Sequence, residues 1–193
     1  MARPKEFDRE EVLHKALYTF WDKGYDATTL PDLLESMGIN RSSLYNTFGD
    51  KQTLFREVMS LYYQQTAIKR LTILQKAKSA KQGLQDYFKH NIDVAVAEYN
   101  PGGCLLTNTA TTLNIIDEQV AQSITQGVER LEQAFYALLK KGQQSGEIAS
   151  NKDIKAIARV MIAVSYGLNV AARVNPNREV LEDIAKATLY TLD

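Results

Sequence analysis

The sequence predicts an all-α protein of about nine helices, and three observations carry that reading. Its 193 residues hold only 10 Gly and 4 Pro, too little punctuation for a chain of many short strands. The stretches between them are rich in Ala, Leu, Lys, Gln and Glu, which lose little on entering a helix. Apolar residues in those stretches recur at intervals of three and four, the period of one helical face, and 45% hydrophobic content is enough to bury a core.

Asp8 with Glu11 three residues on reads as a capping box for a first helix. Val12, Leu13, Ala16, Leu17, Phe20 and Trp21 then share one face, and Gly24 ends the run. Thr29 caps a short second helix through Leu30, Leu33, Leu34 and Met37, with Pro31 tolerated in its first turn, and Gly38 stops it. Asn40 caps a third, Arg41 to Phe48, after a turn of only Gly38-Ile39-Asn40. Asp50 caps a fourth that carries Leu54, Phe55, Val58 and Leu61 and continues past Tyr63 toward Ala77. Two short helices joined by so tight a turn and packed on a longer amphipathic one have the layout of a helix-turn-helix unit.

Lys76, Lys78 and Lys81 then mark a polar joint, expected to be mobile. Longer helices follow: Leu84 to Glu98, closed by Asn100-Pro101-Gly102-Gly103; Cys104 to about Leu113; Asp117 to Lys141; Asp153 to Val174; Asn177 to Leu192. The third of these carries Val120, Ile124, Val128, Leu131, Phe135 and Leu138 on one stripe. Val160 to Val174 is the most apolar run, but Ser165, Tyr166, Asn169 and Arg173 interrupt it, so it reads as a helix buried against protein rather than a membrane span.

Charge and cysteine count exclude several classes of function. Lys plus Arg and Asp plus Glu each number 23, so the chain is not basic overall, and any nucleic-acid contact must be a local arrangement. Residues 1–56 carry eight basic against nine acidic side chains, a net charge of −1. One Cys permits neither an internal disulfide nor a multi-cysteine zinc site, and the expected compartment is the cytoplasm. His14 and His90 have no partner at a metal-ligand spacing, so no metal and no other cofactor is expected. There is no P-loop, Gly-x-Ser-x-Gly, His-Glu-x-x-His or Cys-x-x-Cys, which argues against an enzyme.

The run Gly24-Tyr25-Asp26-Ala27-Thr28-Thr29-Leu30, then Met37-Gly38-Ile39, Ser43-Leu44-Tyr45-Asn46-Thr47-Phe48-Gly49-Asp50-Lys51 and Leu54-Phe55 resembles the tetracycline-repressor (TetR) family of bacterial regulators. The match covers about the first 55 residues and is specific as an ordered set. It implies a DNA-binding module over residues 1–52 and a ligand-binding and dimerisation domain over 53–193. It also implies a repressor that leaves a palindromic operator when a small apolar or electrophilic molecule binds. The alternative is a helical adaptor that binds only protein; its third helix would have no need of Arg41, Tyr45, Asn46 and Lys51 together.

A recognition helix presents its N-terminal residues to base edges, which here are Arg41, Ser42 and Asn46, with Ser43 also expected to contact DNA. Arg bridges guanine O6 and N7, Asn bridges adenine N6 and N7, and Ser donates or accepts. Tyr45 and Lys51 match family positions that resemble phosphate clamps, Thr29 is a further expected DNA contact, and Arg3, Lys5 and Arg9 could add an electrostatic arm. The resemblance further implies that the last two helices pair with their copies in a homodimer, with Val164 inside the interface. The expected ligand pocket, read from helix faces, is lined by Phe88, Ile92, Cys104, Asn108, Ile124, Val128, Phe135, Met161 and Tyr166. Cys104 carries two readings: a small buried hydrophobe, or a thiolate favoured by a helix start. Some family members with a cysteine near this place respond to electrophiles or oxidants.

Overall fold

A computed structural model describes residues 7–110 and 118–192. It has ten α-helical segments and, among the described residues, no strand: α1 (Arg9–Lys23), α2 (Leu30–Met37), α3 (Arg41–Phe48), α4 (Lys51–Tyr62), α5 (Ile68–Lys76), α6 (Ala80–Ala95), α7 (Leu105–Ala110), α8 (Glu118–Gln144), α9 (Ile154–Val174) and α10 (Arg178–Leu189). A π-helical turn, Tyr63–Ala67, joins α4 to α5 into one continuous rod. The expected helix ends at Leu113 and Asp117, and Arg3 and Lys5, lie outside the described residues.

The N-terminal helices start where small polar side chains satisfy free amides. Asp8 accepts from the amides of Glu10 and Glu11, Asn40 from Ser43, and Asp50 from Thr53. Glu11 does not reach back as a capping box requires; its carboxylate bridges Lys15, one turn on, at 2.7 Å. The capping box forms instead on α2, where Thr29 and Asp32 cap each other's backbone amides. Gly38 closes α2 at φ 68°, a left-handed conformation that costs any other side chain, so the turn into α3 depends on it.

Phe20, Leu33, Leu44, Phe48, Leu54 and Phe55 form the core of α1–α4, each at most 2% exposed. Truncating Phe48 to Ala would cost about 3–5 kcal/mol. This core does not stop at α4. It runs on through Met59, Tyr62, Cys104, Leu105, Val120 and Ile124, so α7 and the start of α8 are packed onto the N-terminal helices. The second core lies between α6, α8, α9 and α10, around Tyr87, Phe88, Phe135, Leu138, Met161 and Leu181. Helix α8 therefore spans both cores, its early residues in the first and its later ones in the second.

The joint at residues 77–79 is pinned rather than mobile. Glu147 accepts from the amides of Ala80 and Lys81 at 2.6 and 2.9 Å, and the Lys141 ammonium donates to the Ala77 carbonyl at 2.9 Å. Gly83 and Gly142 let the helices close here: a Cβ on Gly142 would lie 2.7 Å from the Ala80 Cβ. Val164, expected on the pairing face, is half-buried against the second core. The outward face of α9 is instead Ala156, Val160, Ala163, Gly167, Val170 and Val174.

Candidate nucleic-acid interface and effector cavity

Leu44 and Phe48 fix α3 to the module, leaving Arg41, Ser42, Tyr45 and Asn46 exposed on its outer side and Ser43 half-buried. The Arg41 guanidinium lies 5.7 Å from the centre of the Tyr45 ring, and the Asn46 amide donates to the Ser42 hydroxyl at 3.3 Å. These four side chains thus form one patch. No acidic residue stands in the sequence of α3. Four of the nine acids of residues 1–56 are engaged locally, Asp8 and Asp50 as caps, Asp32 on Lys23 and Thr29, and Glu11 on Lys15, and Arg9 pairs with Glu57 just beyond. A negative module can therefore still present a polar and basic reading face.

Two of the flanking residues have local jobs. Thr29 is exposed, but its hydroxyl donates to Asp32 at 2.6 Å as part of the α2 cap. Lys51 starts α4 with its ammonium 4.4 Å from the centre of the Tyr25 ring, and burial there pushes its pKa down. Arg9 is no free arm: it is paired with Glu57 and lies 4.9 Å over the Phe48 ring.

A small, partly open cavity of about 60 Å3 lies between the α4–α5 rod, α7, α8 and α9. Of the expected lining, Cys104, Ile124, Val128 and Tyr166 stand on its wall. Phe88, Ile92, Phe135 and Met161 do not: all are buried in the second core, each at most 2% exposed. Asn108 instead braces the loop before α7, donating to the Gly102 carbonyl. The wall includes Tyr63, Arg70, Tyr87, Ser165 and Asn169 in place of those residues. Burial holds the Tyr166 phenol up at about 12.

Cys104 sits one residue before α7, and its carbonyl accepts the Asn108 amide at 2.8 Å. The preceding turn is tight: Gly103 has φ 69°, and a Cβ there would lie 2.9 Å from the Asn169 carbonyl oxygen. The thiol is 1% exposed, accepts a hydrogen bond from the Tyr62 hydroxyl at 3.2 Å, and has the Arg70 Nη1 at 3.6 Å. Burial alone would push the thiol up, but the guanidinium, the Tyr62 hydroxyl and the Thr107 amide outweigh it, so its pKa lies below the ordinary value. Arg70 escaped the sequence reading, although Tyr63, Ala67, Arg70 and Leu74 fall at intervals of four, three and four, one inward stripe that includes a charge.

Two family descriptions match along the chain: bacterial regulatory proteins of the tetR family over residues 12–58, and the tetracyclin repressor-like C-terminal domain over residues 80–188. The chain belongs to the TetR family. This TetR-family chain is 33% identical to the HTH-type transcriptional repressor ComR of Escherichia coli, over 97% of its own length and 90% of ComR. It is 31% identical to the HTH-type transcriptional regulator YezE of Bacillus subtilis over the full length of both. A solved structure of the TetR-family regulator CifR, a cysteine mutant complexed with a 26 bp operator duplex, superposes with a TM-score of 0.89 at 28% identity, each chain fully covered. The chain is accordingly a DNA-binding transcriptional regulator, not an enzyme.

Proposed function

We propose that two copies pair through α9 and α10, that residues 1–52 of each place α3 in successive major grooves of a palindromic operator, and that the dimer represses transcription until a small apolar or electrophilic inducer enters the cavity beside Cys104. Residues 53–193 then form the inducer-binding and dimerisation part, and the cytoplasm, where a bacterial operator lies, is its place of work.

The observation that carries the pairing is the uncovered stripe on α9. Ala156, Val160, Ala163, Gly167, Val170 and Val174 repeat at intervals of four and three with no charge among them. Val170 is 51% and Val174 82% exposed, and Val180 and Ile184 of α10 extend the surface at 46% and 36%. A continuous apolar face of this kind is covered in solution, and the small residues at its centre allow close helix approach. Two such helices from each copy make a four-helix contact with two-fold symmetry, which the operator mirrors.

The reading of the cavity as an inducer site rests on Tyr62. It ends α4, its ring stands edge-on to Trp21 of α1 at 5.0 Å, and its hydroxyl reaches Cys104 at the cavity wall. The π-helical turn follows at once, a break in regular hydrogen bonding where the rod can change its path. An inducer that fits better when the rod is bent would shift the population toward dimers whose two α3 helices are wrongly spaced.

Sedimentation at micromolar concentration tests the pairing. The wild-type chain should run as a dimer. Val170→Asp, with its helical signal intact, should run as a monomer and lose tight binding to inverted-repeat DNA, because the carboxylate would be buried without a partner. A wild-type monomer would overturn the reading.

A further inference from the structure

The cavity wall holds a cation that no carboxylate among the described residues matches; the group nearest it is the Cys104 sulfur, whose thiolate it favours. Arg70 is 8% exposed and is the one basic side chain on that wall among the described residues. Among the described residues it forms no ion pair with an acidic residue, its Nε has no hydrogen-bond partner, and its Nη1 reaches only the Cys104 sulfur, 3.6 Å away. A soft sulfur at that distance serves one of the five N–H donors of a guanidinium, and a buried charge so poorly matched is costly to keep. The Cys104 sulfur and the Tyr62 and Tyr87 oxygens nevertheless hold the group charged against the opposing effect of burial.

We propose that this cavity takes a small amphipathic carboxylate, its head forked on the Arg70 guanidinium and its apolar body against Leu71, Ile124, Val128 and Leu131. The proposal rests on the cavity being the inducer site and narrows the inducer's chemical class. A guanidinium is a planar fork that fits the two oxygens of a carboxylate. A neutral apolar molecule would leave the cation as it is. A phosphate dianion would bring a second negative charge to a wall with a single cation. The bound carboxylate also competes with Cys104 for Arg70, and its charge beside the sulfur disfavours the thiolate.

The experiment uses the full chain and two matched series: straight-chain carboxylates from butanoate to decanoate with benzoate and phenylacetate, and the corresponding neutral alcohols. Binding is read from the fluorescence of Trp21, the chain's sole tryptophan, which packs on Tyr62. At least one carboxylate should bind more tightly than its alcohol by about tenfold or more. Arg70→Met, which keeps an unbranched apolar stem and removes the guanidinium, should abolish that preference while alcohol binding persists. Saturating carboxylate should slow iodoacetamide alkylation of Cys104 in the wild type and leave the rate unchanged in Arg70→Met. Equal binding of acids and alcohols, no binding by any carboxylate, or a preference that survives in Arg70→Met would each overturn the proposal. Should Arg70→Met misfold, Arg70→Lys serves: a point charge in place of the fork should weaken carboxylates and spare alcohols, and equal binding by the two proteins counts against the fork. Operator affinity in the same titrations separates the two readings. Carboxylate binding and thiol protection without loss of operator affinity would support the site and sink the inducer reading. Release by alcohols alone would support the inducer reading and sink the carboxylate.

Discussion

The Tyr62 hydroxyl donates to the Cys104 sulfur across 3.2 Å, 42 residues apart in sequence, and so ties the end of α4 to the start of α7. Because the same Tyr62 ring packs against Trp21, the sulfur is two side chains away from the helix that supports the reading module.

That contact makes the first prediction. Tyr62→Phe keeps the ring on Trp21 but removes a donor that favours the thiolate, so the Cys104 pKa should rise and alkylation at neutral pH should slow. The rate of iodoacetamide labelling against pH measures it; an unchanged profile would mean that the hydroxyl does not act on the sulfur. Addition of the Cys104 thiolate to a quinone forms a C–S bond and leaves the resulting enolate to take up the proton. Cys104→Ser should therefore keep operator binding and lose release by quinones. If Cys104 labels only in unfolded protein, or both proteins are released alike, the residue is a packed core thiol.

On the reading face, Arg41→Ala should cost about 1–3 kcal/mol in operator binding and relax preference at one base pair per half-site. Lys51→Ala should instead weaken every sequence alike and reduce the salt dependence of binding. Affinities for a set of single-base operator variants distinguish the two patterns. Equal loss on every variant for Arg41→Ala would assign its guanidinium to a phosphate.

The boundaries of the N-terminal helices were legible because their caps are local: Asp8, Thr29, Asn40 and Asp50 each satisfy an amide two or three residues on. The pinned joint was not, since Glu147 lies 67 residues from the Ala80 amide it holds. A stretch with Lys76, Lys78 and Lys81 carries no trace of that distant carboxylate. On α6 the cavity lining differs from the expected Phe88 by a single residue. Tyr87 faces the cavity while its neighbour Phe88 is buried in the core, and one residue is about 100° around a helix. Helical periodicity finds the buried side of α6 without saying which of two core-facing rings borders empty space. Arg70 was passed over because charge is normally read as solvent-facing.

The crossing of α6 and α8 at the joint gives a stability prediction. Gly142→Ala places a methyl group 2.7 Å from the Ala80 Cβ and 2.8 Å from the Ile148 Cδ1, so the helices must part. The expected loss is about 1–3 kcal/mol, read from the urea midpoint, despite the better helix propensity of alanine. A gain in stability would show that the crossing relaxes freely.

Acid should weaken the same joint. Burial opposes the Glu147 carboxylate, but the amides of Lys81 and Ala80 and the Ser79 hydroxyl outweigh it and hold its pKa below the ordinary value. A carboxyl depressed in the folded state contributes stability that is present above its unfolded pKa, about 4.3, and lost as pH falls through the folded value. Glu147→Gln should thus be less stable than wild type at pH 7, with the gap closing on acidification. Denaturant midpoints of both proteins at neutral and acid pH provide the check, and a gap that stays constant would remove Glu147 from the account.

Selection of bound duplexes from a random pool by the 193-residue chain reads the sequence and the symmetry of the operator together. A dimer that sets one α3 helix into each of two major grooves should select an inverted repeat. Its half-site centres should be about one helical turn apart or a multiple of it, and Arg41→Ala should blur one position in each half. A selected site without inverted symmetry, or a pool that stays random, would contradict the account.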